Sequence, residues 1–337
     1  MNHKLSVLVD MYGRRVDEVF SAADRARLGA LVDITWARDE PMPTDQAMAA
    51  LESADVLICS QWRHGELAGH YPRLKAIMDV GGGIPRGLDY DEAFARGIHV
   101  LTAAPGFARQ VAEMALGLAL ASCREIPIGD RAMREHREGW MHAGNESTFM
   151  LYDKPVGFIG FGGIATALKP LLMPFGVTIS AYDPWLGDGY LRSVGVEPVD
   201  LEILVSSSRF IFVLAAPSSE NAAVLDRRLL STIREDAVLI LVSRAHVVDF
   251  DAMTELLLDG RFRAAIDVFP DEPLRADHPI RQADAAVLSS HRAGSVREGM
   301  WDLGQLVVDD LEMVARGLPP RRMQAASREL FSRITNA

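Results

Sequence analysis

Short apolar runs alternate with longer amphipathic stretches along nearly the whole 337-residue chain. A few consecutive apolar residues followed by a helical pattern are typical of parallel strands joined by helices. In the first third, the pattern predicts strands at 5–9, 32–36, 56–59, 74–78 and 98–102, separated by helices at 16–31, 44–51, 65–70 and 89–96. A second series starts at Val156 and includes a helix that Asp249 caps and Gly260 stops; its last strand is predicted at 286–288. The sequence therefore predicts the α/β class, with two doubly wound parallel-sheet domains.

A glycine-rich turn follows the first strand of the second series. Residues 160–165 read Gly-Phe-Gly-Gly-Ile-Ala, directly after the apolar run 156–159 and before a helical pattern. Glycines in this arrangement allow a tight turn and bring a dinucleotide pyrophosphate close to the helix N-terminus. The residues predicted to hold it are Gly160, Gly162, Gly163 and Ile164. The alternative is an ordinary loop of a glycine-rich α/β protein, but the complete strand, loop, helix and strand register favours the dinucleotide site.

The next predicted strand, 177–182, is followed directly by Asp183. An acid at this place hydrogen-bonds the adenosine ribose, and its charge would repel the 2′-phosphate of NADP. Asp183 therefore predicts NAD as the cofactor. Pro170 and Pro174 lie in the helical pattern after the glycine turn, so we expect that helix to be short or kinked.

Composition and charge narrow the class of protein. Single cores rarely grow beyond about 250 to 300 residues, so two domains are expected. The net charge of -11 provides no broad basic surface, which argues against nucleic acid and anionic membranes as partners. The N-terminus has no signal-peptide pattern and no apolar run is long enough to span a membrane, so a cytoplasmic protein is expected. Cys59 and Cys123 lack metal-ligand spacing; core thiols and no metal site are predicted.

The helix predicted at 105–124 is apolar on every side of its centre, 114–121. Such a helix is expected to be buried all round. It could lie between the two domains or against a second subunit, with Gly117 allowing close approach, and we predict a homodimer through this region. A charged, solvated helix is expected at 130–138, ending near Trp140.

Ligands of doubly wound sheets bind beyond the carboxyl ends of the strands, so polar residues there are candidates for function. In the first domain these ends carry the loops 60–64 and 80–83. Consecutive glycines at 81–83 expose backbone N–H groups that suit a small carboxylate, and a flexible turn is the open alternative. In the second domain the ends carry Arg244, Asp267, Glu272 and His291. Each alone is more often structural, but together they supply a cation, a proton carrier and orienting carboxylates, the set needed to reduce a 2-keto acid.

Six segments carry a resemblance that covers nearly the whole chain. They are, in order, FARGIHV, PGFARQVAEMALGLALA, GFGGIA followed by AYDP, SRAHVVD, IDVFPDEP and SSHRAGS. In this order and spacing they resemble the NAD-dependent D-isomer-specific 2-hydroxyacid dehydrogenase family. The resemblance implies a Rossmann-type NAD-binding domain, a flavodoxin-like substrate domain, and hydride transfer between NAD(H) and a small D-2-hydroxy or 2-keto acid. It implies that Arg244 clamps the substrate, that His291 is the acid–base and that Glu272 is its partner.

The resemblance also implies further binding residues and a discontinuous domain. Asp267 would face the nicotinamide amide, and the cofactor set would also include Ala216, Pro217, Ser243 and Gly294. The substrate set would be Val80, Gly81, Gly82, Gly83 and Trp62. Residues 1–104 and 297–337 would form the substrate domain and 105–296 the NAD-binding domain, with the active site in the cleft.

Some positions depart from the family pattern. Ser243 and Ala245 flank the arginine where Ala and Gly are usual, and Ser290 replaces a usual proline, but no reacting group is lost. Relatives that act on formate have an amide where Glu272 stands, which argues against formate. The alternative function is an NAD-sensing, corepressor-like protein that binds the nucleotide without turnover. The C3 substituent of the substrate and the direction of flux stay open.

Overall fold

The structure is a computed structural model that describes residues 4–215 and 223–328. The strands are β1 Ser6–Asp10, β2 Asp33–Trp36, β3 Val56–Cys59, β4 Ala76–Asp79, β5 His99–Thr102, β6 Pro155–Ile159, β7 Thr178–Tyr182, β8 Glu197–Pro198, β9 Phe210–Val213, β10 Val238–Leu241, β11 Arg263–Ile266, β12 Ala286–Leu288 and β13 Gln324–Ala325. The helices are α1 Val16–Val19, α2 Ala22–Leu31, α3 Thr44–Leu51, α4 Tyr90–Ala95, α5 Ala108–Cys123, α6 Ile126–Arg134, α7 Gly163–Leu172, α8 Asp188–Ser193, α9 Leu201–Ser207, α10 Arg227–Thr232, α11 Phe250–Leu258 and α12 Arg297–Ala315.

The described chain divides into two compact units. Residues 4–108 and 294–328 form the first unit, and residues 109–215 and 223–293 form the second. Both are α/β units built on parallel sheets, which confirms the predicted fold class. No helix of the described residues is long and apolar enough to cross a membrane.

The sheet of the first unit has the order β13-β5-β4-β3-β1-β2. Five strands are parallel in the flavodoxin-like order, and β13 pairs antiparallel with β5. Helix α12 contributes Leu303, Val307 and Leu311 to the same core as Val7 and Phe20 from the start of the chain. The C-terminal segment is therefore part of the first unit.

A buried carboxylate holds the chain after α12. Asp310 is fully buried, and its two oxygens accept hydrogen bonds from the backbone N–H groups of Arg321, Arg322 and Met323 at 2.7 to 3.0 Å. These bonds fix the turn that leads into β13.

The sheet of the second unit has the order β12-β11-β10-β9-β6-β7-β8, and all its pairings are parallel. The chain starts at β6 in the middle, builds outward to β8, and then returns to build β9 to β12 on the other side. The strand order therefore reverses between β6 and β9, where doubly wound sheets bind their ligands.

Two predicted helices of the first unit differ from the structure. The helix predicted at 65–70 is wrong, because Gly65 and Gly69 both have a φ of +74°, outside the helical region. The helix predicted at 16–31 is interrupted after Val19, and Ser21 caps the second part by accepting a hydrogen bond from the N–H of Asp24 at 3.1 Å. Glycine conformation decided the first case and a local cap the second.

Helix α5 is buried along one side only. Glu113 and Gly117 are exposed in the single chain and lie one helical turn apart on the same face. The prediction of burial on every side is therefore wrong for the single chain, because one polar and one small residue interrupt the apolar surface. The next helix, α6, begins and ends about four residues earlier than the predicted 130–138, and none of its residues is buried. Cys59 and Cys123 are buried free thiols, as expected.

Candidate active site

The glycine turn after β6 depends on Gly160 for its shape. Gly160 has a φ of +89°, and a Cβ atom there would lie 2.6 Å from Cα of Ala215. Its N–H donates to the carbonyl of Tyr182 at 2.9 Å, which ties the turn to the end of β7. A larger residue at this position would force the turn away from Ala215.

Gly162 has a different role, because a Cβ atom there would meet nothing within 4 Å. It is the N-cap residue of α7, whose first turn contains Gly163 and Ile164 and has neither an acidic residue nor a side-chain cap. The first N–H groups of a helix have no partner within the helix, and they attract phosphate oxygens. The open space beside Gly162 and these uncapped N–H groups fit a pyrophosphate.

Helix α7 is short, as the prolines predicted. It has ten residues, includes Pro170, and gives way to a 3-10 turn at Met173–Phe175 that contains Pro174.

Asp183 connects the end of β7 with the glycine turn. Its Oδ2 accepts a hydrogen bond from the N–H of Phe161 at 2.8 Å, and its Oδ1 accepts one from the N–H of Trp185 at 2.9 Å. The carboxylate is half-buried. Asp183 therefore places a negative charge beside the turn, and its bond to a ribose stays a prediction.

The remaining predicted cofactor residues are spread over three places. Ser243 is buried at the end of β10, and its Oγ has no hydrogen-bond partner among the described residues, which fits a group reserved for a ligand. Ala216 and Pro217 lie outside the described residues. Gly294 is the first residue of the C-terminal part of the first unit.

Hydrogen bonds between strand ends position His291. Its N–H donates to the carbonyl of Asp267 at 2.8 Å, directly beyond β11. The fully buried carboxylate of Asp267 accepts hydrogen bonds from the N–H groups of Arg292 and Ala293 at 3.0 and 2.9 Å. These bonds hold His291 at a φ of +52°, a region that residues other than glycine rarely adopt. Sequence reasoning did not foresee this support by Asp267.

Glu272 meets the imidazole of His291. The distance from its Oε2 to Nδ1 of His291 is 2.6 Å, and its Oε1 accepts a hydrogen bond from the N–H of Phe269 at 3.0 Å. About a third of the glutamate side chain and two fifths of the histidine side chain are exposed, at 35% and 43%. The pair is therefore ordered by the protein and still open to a ligand.

Arg244 follows β10 at the same edge of the sheet. It is exposed, its backbone is extended, and its Nη1 donates to the carbonyl of Ser243 at 2.8 Å. Sequence reasoning did not single out the neighbouring His246, whose pKa is lowered by burial and by the charge of Arg244. The lowered pKa favours the uncharged form of His246, so Arg244 supplies the positive charge after β10.

In the first unit, the glycine loop 80–83 binds a carboxylate of the protein itself, the side chain of Asp79. Val80 is fully buried, and its N–H donates to the carbonyl of Cys59 at 2.7 Å. The N–H of Gly81 donates to Oδ1 of Asp79 at 2.8 Å. At least one N–H group expected to bind the substrate therefore already binds a side chain of the protein. Asp79 carried no prediction, since its burial and its bond arise only on folding.

Trp62 and Arg63 are accounted for by packing. Trp62 is 8% exposed and its Nε1 donates to the carbonyl of Gly65 at 2.9 Å. Arg63 binds both carboxylate oxygens of Asp10 at 2.6 to 2.9 Å. Both side chains stabilise the end of β3, so the place of Trp62 in the substrate set stays a prediction.

His64 completes this buried group. Its ring is fully buried, and neither ring nitrogen has a hydrogen-bond partner within the described residues. Its Nε2 lies 3.5 Å from Oδ2 of Asp10, at the outer limit of hydrogen bonding. Burial lowers the pKa of His64 to about 4, with the attraction of Asp10 and the repulsion of Arg63 as smaller, opposed effects.

These features together define an α/β protein that binds a dinucleotide at the switch point of a doubly wound sheet and carries a His–Glu pair at the carboxyl edge. The model of the D-isomer specific 2-hydroxyacid dehydrogenase NAD-binding domain matches residues 116–293. The chain belongs to this family, and its second unit is the family's NAD-binding domain.

Individual relatives agree with this assignment. The chain is 30% identical over 295 residues to D-3-phosphoglycerate dehydrogenase of Mycobacterium bovis, which covers 87% of this chain and 54% of the relative. It is 30% identical over 294 residues to glyoxylate reductase of Thermofilum pendens, covering 84% and 85%. It resembles the crystal structure of a phosphoglycerate oxidoreductase from Rhizobium etli with a TM-score of 0.85 and 36% identity, covering 96% and 99%. The chain spans about half the length of the mycobacterial phosphoglycerate dehydrogenase that it matches.

Proposed function

We propose that this protein is an NAD-dependent oxidoreductase that transfers hydride between NAD(H) and a small D-2-hydroxy or 2-keto acid. The observation that carries the proposal is the 2.6 Å contact between His291 and Glu272 at the end of an NAD-binding sheet. An ordered and partly exposed imidazole is what the proton transfer of such a reaction needs. The relatives above are named as enzymes, which favours turnover over a purely sensing role.

The NAD cofactor, when bound, supplies or accepts the hydride at its nicotinamide ring. The turn at 160–164 would hold its pyrophosphate through the uncapped N–H groups of α7. Asp183 would accept hydrogen bonds from the ribose and would disfavour the 2′-phosphate of NADP.

His291 would act as the acid in reduction and as the base in oxidation. Glu272 faces Nδ1, so the proton would be held and released at Nε2. Asp267 would keep the histidine at this place through the backbone bonds on either side.

Arg244 would bind the substrate, because a guanidinium can donate two parallel hydrogen bonds to a carboxylate or to a carboxylate and carbonyl oxygen. Glyoxylate or hydroxypyruvate is the expected kind of keto acid. The part of 80–83 and of Trp62 in substrate binding rests on the family resemblance.

The test is a panel of 2-keto acids, including glyoxylate and hydroxypyruvate, in which oxidation of NADH is followed by absorbance. His291→Ala and Arg244→Ala are each expected to lower kcat/KM by at least about 100-fold, the lower range for a lost acid–base group or a lost charged contact. His99→Ala and Arg228→Ala, which change exposed side chains elsewhere, serve as controls. If kcat/KM of His291→Ala and of Arg244→Ala stayed within a few fold of the wild-type value, the proposal would be refuted.

The second unit would also form a homodimer through α5 and α6. Large apolar side chains of α6 are exposed in the single chain, Ile126 by 57%, Ile128 by 42% and Met133 by 52%. Gly117 on the exposed side of α5 leaves room for a close neighbour. Light scattering should give twice the chain mass, and Ile126→Asp with Met133→Asp should give a monomer. The cytoplasmic location stays a prediction from the sequence.

A further inference from the structure

Four polar side chains form a row across the carboxyl edge of the first sheet. Asp10, Cys59, Asp79 and Thr102 are register partners on β1, β3, β4 and β5. Register partners on neighbouring parallel strands point to the same face of a sheet. None of the four is more than 3% exposed. Two carboxylates are therefore buried in one row, two strands apart.

The two carboxylates are balanced in different ways. Asp10 forms an ion pair with Arg63. Asp79 has no ion-pair partner among residues 4–215 and 223–328, and its partners are backbone N–H groups instead. Its Oδ1 lies 2.8 Å from the N of Gly81, and the N–H groups of Gly82 and Gly83 also stabilise its ionised form. The glycine loop is thus turned around a carboxylate that belongs to the protein.

Two of the three loop glycines, Gly81 and Gly82, are packed closely against other parts of the first unit. A Cβ atom on Gly81 would overlap the carbonyl oxygen of Ser60. Gly82 has a φ of +94°, and a Cβ atom there would lie 2.8 Å from the ring of Phe107. The variable quantity at this loop is therefore the charge of Asp79.

Burial raises the pKa of Asp79 to about 7, against the opposing effect of the loop N–H groups and of Arg14. The titratable and charged groups that face it are Arg14 in the loop after β1, Cys59 on β3 and Tyr90 on α4. Among these, Arg14 is the cation, and its guanidinium lies 5.6 Å from the ring centroid of Phe107. Asp79 is therefore partly ionised at neutral pH.

We propose that Asp79 decides whether the glycine loop 81–83 accepts the carboxylate of the substrate, an inference that rests on the proposed function. The ionised side chain occupies the N–H donors and repels a second carboxylate. The protonated side chain lifts that repulsion and competes less for the donors, so a substrate carboxylate can bind them while the loop keeps its position. Asp79 is a specificity-determining residue in this role and takes no part in the hydride or proton transfer.

The first test compares the pH dependence of KM for glyoxylate, or for the most active keto acid of the panel. In the wild type, KM should rise roughly tenfold between pH 6.5 and pH 8, as a single ionisation near neutrality requires. Asp79→Asn, which keeps an oxygen acceptor for Gly81, should have a nearly constant KM close to the wild-type value at pH 6.5. The pH dependence of kcat should be the same in both proteins, because Asp79 takes no part in the hydride or proton transfer.

Arg14→Gln is the second variant, and it leaves the loop and Asp79 unchanged. Loss of this nearby positive charge should move the rise in KM to higher pH. If Asp79→Asn raises KM by the same factor at every pH, or if neither variant alters the pH dependence of KM, Asp79 only shapes the loop and the inference is wrong.

Binding of oxalate to the NADH-loaded enzyme, measured by calorimetry, is the readout without turnover. Its affinity should fall roughly tenfold from pH 6.5 to pH 8 in the wild type and stay nearly constant in Asp79→Asn. If no keto acid is reduced while oxalate follows this pattern, the proposed function fails and the assignment of Asp79 stands. If keto acids are reduced while oxalate affinity ignores Asp79, only the assignment of Asp79 fails.

Discussion

Nδ1 of His291 lies 2.6 Å from Oε2 of Glu272, while Oε1 of the same carboxylate binds the N–H of Phe269. Because its two oxygens have different partners, the carboxylate loses a hydrogen bond if it rotates. The orientation of the imidazole is therefore set by a backbone group three residues before Glu272.

Glu272→Gln tests whether catalysis depends on the orientation that Glu272 gives to the imidazole of His291, because the amide occupies the same place without providing the same acceptors. The amide has a single oxygen, so it cannot accept hydrogen bonds from both Phe269 N–H and His291 Nδ1–H. An NH2 group that faces Nδ1 favours the wrong tautomer of His291. We expect kcat for keto-acid reduction to fall by about 10² to 10⁴-fold, with an unchanged Kd for NADH measured by fluorescence. Asp271→Asn removes an exposed neighbouring charge and should leave kcat within twofold, or about 0.4 kcal/mol. Wild-type kcat in Glu272→Gln would exclude the histidine–glutamate mechanism.

The two glycines of the NAD turn should respond differently to alanine. Gly160→Ala places a methyl group 2.6 Å from Ala215 at a positive φ, so it should lower the free energy of unfolding by about 2 kcal/mol or more. Gly162→Ala meets nothing in the protein and has an extended backbone, so its unfolding should match the wild type. Its Kd for NADH should nevertheless rise at least tenfold, because the methyl group enters the space assigned to the pyrophosphate. If the Kd for NADH were unchanged in Gly162→Ala, the assignment of the pyrophosphate to this turn would be wrong.

Asp183 is expected to select NAD over NADP. Asp183→Asn keeps an oxygen that can accept one of its two backbone hydrogen bonds but removes the negative charge. The ratio of kcat/KM for NADPH to that for NADH should therefore rise, by roughly tenfold for about 1.4 kcal/mol of lost repulsion. Asp188→Asn, at an exposed position beyond the same strand, is the matched control. Comparable use of both cofactors by the wild type would contradict the prediction before any variant is made.

His64 should make the protein sensitive to acid. The pKa of His64 is about 4 in the folded protein and about 6.5 in the unfolded chain. Between these pH values the imidazole is protonated in the unfolded chain and neutral in the folded protein. Stability from this residue is therefore complete above pH 6.5 and is lost as the pH falls toward 4. The unfolding free energy, measured with urea, should fall by on the order of 1 kcal/mol per pH unit in this window because of His64.

His64→Gln, which cannot titrate, should reduce that slope, and His70→Gln at the surface should not. An identical slope in the wild type and in His64→Gln would mean that the buried imidazole is not the acid-sensitive group.

Asp310 should stabilise the first unit more than an exposed acid does. Asp310→Ala leaves the N–H groups of Arg321, Arg322 and Met323 without their carboxylate. Each of these groups that stays buried lowers the free energy of unfolding by about 1 kcal/mol or more. We expect a loss of roughly 3 kcal/mol in unfolding free energy, and an intermediate loss in Asp310→Asn. Asp309→Ala, which removes surface ion pairs of the adjacent residue, should change stability by less than about 1 kcal/mol. Equal losses at 309 and 310 would refute this account.

Much of the fold could be predicted because local signals and long-range packing agree. Helix α11 begins after Asp249, whose side chain accepts a hydrogen bond from Ala252 at 3.0 Å, and ends before Gly260, as the caps predicted. Strand β12 coincides with the predicted 286–288. Helices α8 and α9 received no prediction, because they are short and bury only one and two residues.

The candidate site could be predicted only in part. Arg244 and His291 lie three residues after β10 and β12, Glu272 lies six residues after β11, and the topology brings these strand ends to one edge. The same reasoning could not find that Asp79 binds Gly81, because a buried acid at a strand end and an exposed one look alike in sequence. The unit boundaries, at 108 and 293 in the structure and at 104 and 296 in the prediction, depend on contacts that no local pattern encodes.

The contribution of α12 to the first core bears on how the chain is made. Val7 and Phe20 leave the ribosome early, but the apolar side chains that cover them, such as Leu303 and Val307, are synthesised after the whole second unit. Residues 109–293 are contiguous and can close their own core during translation. We therefore expect the NAD-binding unit to fold first, and the nascent segment before residue 109 to be the part that needs protection from aggregation until α12 emerges.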